Sequence, residues 1–292
     1  MDKMPEQLKD FRNFMYIVWK HLLLPDPTLV QYDMADYIQN CPRRSIIEAF
    51  RGVGKSYITA AFVVHQLLLD PQKKFMVVSA SKQRADDFST FTQRLILELP
   101  ICQHLIATSE QRWSKIAFDV RPALASGSPS VKSVGITGQL TGSRADFIIA
   151  DDIEVPNNSM TQMMREKLGE AVKEFDAVLK PEGKILYLGT PQCEMSLYNT
   201  LTERGYQLRV WPARYPSVEY AEKAYGARLA PVLWEAMHSA KEPLDGQPVD
   251  PMRFDDDDLL ERELSYGRSG FALQFMLDTT MSDTDRYPLK LS

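Results

Sequence analysis

The chain has 292 residues, 44% hydrophobic and 25% charged, a balance expected of a globular protein with one large domain or one domain and a smaller appendage. Its net charge of −5 and pI near 5.5 exclude a globally basic nucleic-acid coat, so any DNA contact needs a local patch or an assembly that gathers positive charge on one face. Three distant cysteines (Cys41, Cys102, Cys193) exclude a zinc knuckle or a disulfide framework, and four scattered histidines fit core or surface roles. No apolar run is long enough to span a bilayer and no signal-peptide layout opens the chain, so no membrane and a cytoplasmic location are expected.

Leu8, Phe11, Met15, Val18 and Leu22 recur at steps of three and four and predict an amphipathic first helix, ended by Leu24-Pro-Asp-Pro27. A second helix is expected over residues 28–39 with Thr28 as its N-cap. It carries Gln31, which is either a solvated glutamine or an adenine reader, since an amide both donates and accepts.

Ser45-Ile-Ile-Glu-Ala49 reads as a buried strand, and Tyr57 opens a run, apolar nearly all round, that reads as a helix through Leu69. Between them stands Ala49-Phe-Arg-Gly-Val-Gly-Lys-Ser56, with Ala where the usual pattern has Gly. A strand, a glycine-bearing turn and a helix opened by Gly-Lys-Ser form a phosphate cradle. Its backbone N–H groups, from Ala49, Phe50, Arg51, Gly52, Val53 and Gly54 to Tyr57, face an anion at a helix N-terminus. Lys55 brings a point charge to the β- and γ-phosphates, and the Ser56 hydroxyl can ligate Mg²⁺.

Residues 74–80 are a second buried strand, followed by a helix from Ser81 (Lys82, Arg84, then Phe88, Phe91 and Leu95) to Pro100. Residues 115–120 and 131–136 are further strand candidates around an exposed loop, 121–130. Strands alternating with helices predict a mostly parallel sheet with helices on both faces. Phe147-Ile-Ile-Ala-Asp-Asp-Ile-Glu154 is a buried strand that delivers carboxylates to its C-terminal edge, where open α/β sheets bind ligands. Asp151 is placed for the Mg²⁺ shell, and Asp152 or Glu154 to orient or deprotonate an attacking water. Ser159-Met-Thr-Gln162 predicts a capping box, and Leu168, Ala171, Phe175 and Leu179 continue one helical period until a turn at Pro181-Glu-Gly183. Another strand, 184–188, ends in Gly189-Thr-Pro-Gln192, where Thr190 and Gln192 can sense a γ-phosphate and couple hydrolysis to movement. After Trp211 prolines multiply and strands vanish. Residues 1–212 are thus expected to form the nucleotide-binding domain, 213–278 a small helical lid, and 279–292 a linker. Asp255-Asp-Asp-Asp258 reads as a solvated helix N-terminus.

With these motifs in hand, the chain resembles the ATPase half of the large terminase subunits of short-tailed bacteriophages, also called DNA maturase B. The resemblance rests on residues 49–56, 131–146, 149–152 and 187–192 and on Phe271-Ala-Leu-Gln-Phe-Met-Leu277. It implies a P-loop NTPase fold of the ASCE, RecA-like type, with ATP and Mg²⁺ as nucleotide and metal. It also implies a motor that docks on the procapsid portal as a ring of five subunits and drives double-stranded DNA inward, guided by a small terminase subunit in the host cytoplasm. Family members carry an Arg in the phosphate loop, which Arg51 matches. They have an Asp-Glu pair where this chain has Asp151-Asp152. Many place an Arg-Gly finger about eleven residues before the catalytic acid; here that position is Thr141-Gly142, and the nearest arginine is Arg144. Arg144 is either a trans-acting finger or a surface residue paired with Asp146. The family's C-terminal nuclease would need its own acidic cluster on a second sheet, so no DNA cutting is expected of these residues. A helicase-like or repair-type DNA translocase is the alternative reading; it would need a second ATPase-like lobe.

Overall fold

Strand order in the sheet leaves a single strand between the phosphate-loop strand and the acidic strand. The computed structural model describes residues 5–193 and 195–279, and within them seven strands hydrogen-bond in the order β3-β4-β2-β5-β6-β1-β7. These are β1 (Arg44–Ala49), β2 (Phe75–Ser79), β3 (Ala117–Phe118), β4 (Val131–Gly135), β5 (Ala145–Asp151), β6 (Leu179–Gly189) and β7 (Gln207–Trp211). Every pairing is parallel except that of the short edge strand β3 with β4. The interior strands β1, β2 and β5 are almost wholly buried, which is why they read as unbroken apolar runs rather than alternating ones.

Helices α1 (Phe11–His21), α2 (Leu29–Asn40), α3 (Lys55–Leu69) and α4 (Lys82–Glu98) pack in a connected group, with α3 touching each of the other three. Ile58, Ala61, Phe62, Val63 and Leu67 of α3 are buried, which accounts for its lack of a polar face. Truncating one large side chain there, Phe62→Ala, would cost roughly 3–5 kcal/mol. His65 on the same helix is a core residue: it lies between the rings of Phe11 and Phe14, with Nε2 2.8 Å from the Leu8 carbonyl, and burial lowers its pKa.

Several local expectations are corrected. The helix after the acidic strand is three pieces, α5 (Pro156–Ser159), α6 (Gln162–Ala171) and α7 (Glu174–Val178). Its cap is Thr161, whose hydroxyl accepts from Met164 N–H, while the Ser159 hydroxyl instead donates to the Val155 carbonyl. Leu179 already belongs to β6. Pro181-Glu-Gly183 turns within that strand: the register against β5 runs from Ala145↔Leu179 to Phe147↔Lys184, and Glu182 takes a φ of 63°. The 115–120 strand shrinks to two residues.

Beyond β7 come α8's successors: α8 itself (Leu197–Glu203) precedes β7, and α9 (Val218–Tyr220), α10 (Pro231–Ser239) and α11 (Asp256–Gln274) follow. The last is broken at Gly267, which takes a φ of 69°. Asp255 caps it, and Asp258 and Asp256 pair with Arg262 and Arg214, so the acidic run is a helix start. The chain after α11 returns to the sheet: Ala213 N–H donates to the Phe275 carbonyl at 2.8 Å. Residues 280–292, most of the expected linker, lie outside the described residues.

One close approach fixes the end of β6. A Cβ on Gly189 would lie 1.9 Å from the hydroxyl of fully buried Tyr198 on α8, a separation no side chain can take.

Candidate active site

The C-terminal ends of β1, β6 and β5 lie side by side, with Glu48 opposite Gly189 and Leu188 opposite Asp151 in the register. β1 runs into a loop whose Gly52 (φ 93°) and Gly54 (φ 98°) take left-handed backbone, the conformation that glycine adopts without a Cβ penalty. Gly54 then caps α3, so Lys55 and Ser56 start the helix directly over the sheet edge.

Lys55 points inward and is buried. Its Nζ donates to the Ala49 carbonyl at 2.6 Å, the Phe50 carbonyl at 3.3 Å and the Thr190 hydroxyl at 3.3 Å. Burial pulls the ammonium below its ordinary pKa, while Asp152 and Asp151 push it back up. The Ser56 hydroxyl faces the Asp151 carboxylate, 2.9 and 3.1 Å from its two oxygens. Burial, and next the charge of Asp152, push Asp151 up to about 7. Two hard oxygen donors side by side, beside an ammonium held by carbonyls, fit Mg²⁺ with phosphate oxygens, because that cation takes one or two protein oxygens and completes its shell with phosphate and water.

The two candidate water-activating acids differ in their surroundings. Asp152 has a φ of 46°, is half-buried, and faces a cavity of about 610 Å³ with Arg51, Arg84, Thr137 and Gln192. Glu154 also reaches that cavity, but its carboxylate is bonded on both oxygens: Oε1 accepts from Gln192 N–H at 2.9 Å, and Oε2 from the Ser196 hydroxyl at 3.0 Å and Leu197 N–H at 2.6 Å. Burial raises its pKa against those donors. Glu154 thereby ties the end of β5 to the start of α8. Gln192 closes the link, its Nε2 donating to the Thr190 carbonyl at 2.9 Å.

Gln31 is fully buried beneath the loop. Its Nε2 donates to the Val53 carbonyl at 2.8 Å, and Oε1 accepts from Thr28 N–H at 3.2 Å as part of a capping box. It is not a solvated glutamine; it props the loop from behind. Tyr57 is exposed and rests on Phe91, ring centroids 4.8 Å apart. Arg51 is held through its Nε and Nη2 by the Gln274 side-chain oxygen, at 3.1 and 2.7 Å. Arg144 lies at the other edge: it precedes β5, whose seven residues span roughly 23 Å, and its guanidinium donates to the Ala177 carbonyl. Asp146 binds Lys74 N–H and Lys180 instead, so the expected Arg144–Asp146 pair does not form.

Sequence reasoning missed what covers the loop. Phe254 sits 2.9 Å from where a Gly52 Cβ would be and edge-on to Phe50, Arg253 donates to the Gly52 carbonyl, and Gln274 bridges Arg51 to the Pro191 carbonyl at 2.6 Å. It also missed Glu48, buried on β1 with Oε1 unpartnered and pushed up to about 8 by burial and the Glu154 charge.

The chain is 55% identical over 290 residues to a protein described as the terminase large subunit of Enterobacteria phage T3. The match takes in 98% of the chain and 50% of that relative, so the chain spans half the relative's length. Among solved structures, the HK97 bacteriophage large terminase matches 92% of the chain and 54% of its own length, at 13% identity and a TM-score of 0.52, a likeness of fold. The large terminase ATPase domain of Thermus phage P74-26 matches 90% of the chain and 97% of its own length, at 15% identity and a TM-score of 0.49. No family model matches.

Proposed function

Since the chain belongs to the terminase large-subunit family, we propose that it is the ATP-hydrolysing motor part of a machine that drives double-stranded DNA into a procapsid through its portal. The observation that carries this reading is the convergence of Lys55, Ser56, Asp151 and Thr190 at one sheet edge, linked by hydrogen bonds of 2.9–3.3 Å.

In this reading Lys55 exchanges its carbonyl partners for the β- and γ-phosphate oxygens, and the loop N–H groups bind the remaining charge. Ser56 and Asp151 would hold Mg²⁺, which when bound would neutralise charge on the β- and γ-phosphates. Asp152 orients the attacking water and accepts its proton, because it has a carboxylate facing the cavity while that of Glu154 is engaged. Thr190 senses the phosphate from β6. Gln192 and Glu154 carry the change to α8, and residues 213–278 act as a lid over the loop. The motor works as a ring of five subunits with the portal and a small terminase subunit in the host cytoplasm. Arg144, far from its own cradle, reaches that of a neighbour.

Phosphate release by the chain, alone and with procapsid portals and DNA, tests this. The expected result is Mg²⁺-dependent turnover that rises on assembly. A chain that binds no ATP would overturn the reading, and one that hydrolyses ATP without moving DNA would limit it to the chemistry.

A further inference from the structure

Three arginines named above are already bonded within the subunit. Arg51 is tied to Gln274, Arg144 to the Ala177 carbonyl at the far edge, and Arg253 to the Gly52 carbonyl. Arg84, by contrast, has an exposed side chain whose guanidinium makes no hydrogen bond or ion pair among the described residues, while its backbone N–H donates to the Ser81 hydroxyl. Its position is set by the sheet. Ser79 of β2 pairs with Asp151 of β5, Ser81 caps α4, and Arg84 falls in the first turn of that helix. Two cavities flank Asp152: the one of about 610 Å³ shared with Arg51 and Gln192, and one of about 400 Å³ shared with Ser56, Tyr57 and Asp151. Arg84 and Asp152 line both, and the guanidinium lowers the pKa of Asp151 by its charge.

The helix argues the same way. Cations are unfavourable in the first turn of a helix, where the dipole is positive, and α4 starts with Lys82 and Arg84 and no acid. Lys82 is answered by Asp86 four residues on. Arg84 has Phe88 at that spacing, and the nearer Asp87 binds Gln83. A cation kept at a helix start without a partner is a local rule broken beside the reacting edge, where such breaks collect.

We infer that Arg84 is a catalytic arginine acting within its own subunit, whose guanidinium binds the γ-phosphoryl oxygens of the nucleotide. The inference rests on the ATP-hydrolysis reading above. The water oxygen bonds to the γ-phosphorus as the bond from that phosphorus to the β,γ-bridging oxygen breaks. The electron pair leaves with ADP, and the water's proton passes to Asp152. Arg84 gains contact with the three equatorial oxygens as their charge spreads, the stage at which a planar fork of donors stabilises most.

The test compares the 292-residue chain with its Arg84→Ala and Arg84→Lys variants, measuring affinity for ADP alone, affinity for ADP with aluminium fluoride, and ATP turnover. The side chain is exposed and unbonded, so both variants are expected to fold with unchanged melting temperature. Arg84→Ala should bind ADP within about threefold of the parent, lose the extra affinity for ADP–aluminium fluoride, and turn over ATP about a hundredfold more slowly. Arg84→Lys, which keeps the charge and loses the fork, should fall between. An unchanged preference for ADP–aluminium fluoride in Arg84→Ala overturns the assignment. So does an intact preference joined to weaker binding of double-stranded DNA and a salt slope reduced by about one, which would place Arg84 on a DNA phosphate. If the parent chain itself binds no ADP, the reading of the site as an ATPase fails first, and this assignment falls with it.

Discussion

The cradle has an inner side and an outer side that are built differently. On the inner side Lys55, Thr190 and Glu154 are buried and bonded into one chain running from β1 through β6 to α8. On the outer side Arg84, Thr137 and Asn157 are exposed, and Asp152 stands half-buried between them and the sheet. The bonded side holds geometry: each polar group there has lost water, and removing a partner leaves a buried charge or donor behind. The open side is where a substrate can add contacts without first breaking any. The same chemical group therefore does different work on the two sides, and substitutions should separate them.

The largest effect is expected from Lys55→Ala, which removes the inner cation. Turnover should fall at least 10²–10³-fold, with the circular-dichroism spectrum unchanged. Normal turnover by the folded variant would remove the nucleotide site from this edge. Asp152→Asn and Glu154→Gln sharpen the contrast, because they are isosteric changes two residues apart on opposite sides. Asp152→Asn should bind Mg-ATP and hydrolyse it about 10²-fold more slowly at an unaltered melting temperature. Glu154→Gln should instead lower that temperature, since an amide cannot accept from Gln192 N–H, the Ser196 hydroxyl and Leu197 N–H together, and a buried donor left unbonded costs about 1–3 kcal/mol. If the two phenotypes exchange, so do the roles.

Gln192→Ala cuts the inner chain beyond the chemistry, removing the bond to the Thr190 carbonyl. ATP turnover should stay within about fivefold of the parent, well short of the loss expected at a catalytic donor, while DNA packaging is lost. Equal loss of both would assign the residue to hydrolysis. The smallest effect concerns Glu48. Burial, and next the Glu154 charge, hold it near a pKa of 8 against an ordinary value of 4.5, so the folded state keeps a proton that the unfolded chain gives up between those limits. Stability from this group is therefore complete below pH 4.5 and declines as pH rises towards 8. Glu48→Gln should flatten that decline, gaining a few degrees in melting temperature relative to the parent between pH 5 and 8. A difference that does not change with pH would show that Glu48 titrates normally.

The cradle was legible because its parts are contiguous: residues 49–56 carry the end of β1, the glycine turn and the start of α3, and β5 ends at Asp151 with Asp152 directly after it. Burial of whole strands marked the sheet for the same reason. The cover over the loop was not legible, since Gln274 meets Arg51 across more than two hundred residues and nothing local marks either as a partner. Arg84 looked like any cation on an amphipathic helix; its meaning comes from β2 lying next to β5. The 162–179 stretch kept a helical period through the break at Val172 and Lys173, so its apolar spacing concealed where the helix stops. Spacing favoured Asp152 over Glu154 because it follows Asp151 directly, but the donors that engage Glu154, from Gln192 and the start of α8, were not legible.

The contact between Gly189 and Tyr198 makes two positions heritable as one. With the phenol ring filling the space where a side chain would start, even a methyl group at 189 is barred as long as the ring stays. Removing the hydroxyl does not lift the bar, because the ring carbon behind it would still be 2.2 Å away. A lineage could exchange the glycine only by first shrinking residue 198, passing through a cavity in the core. Drift at the end of the strand that presents Thr190 to the cradle is thus blocked from outside the active site.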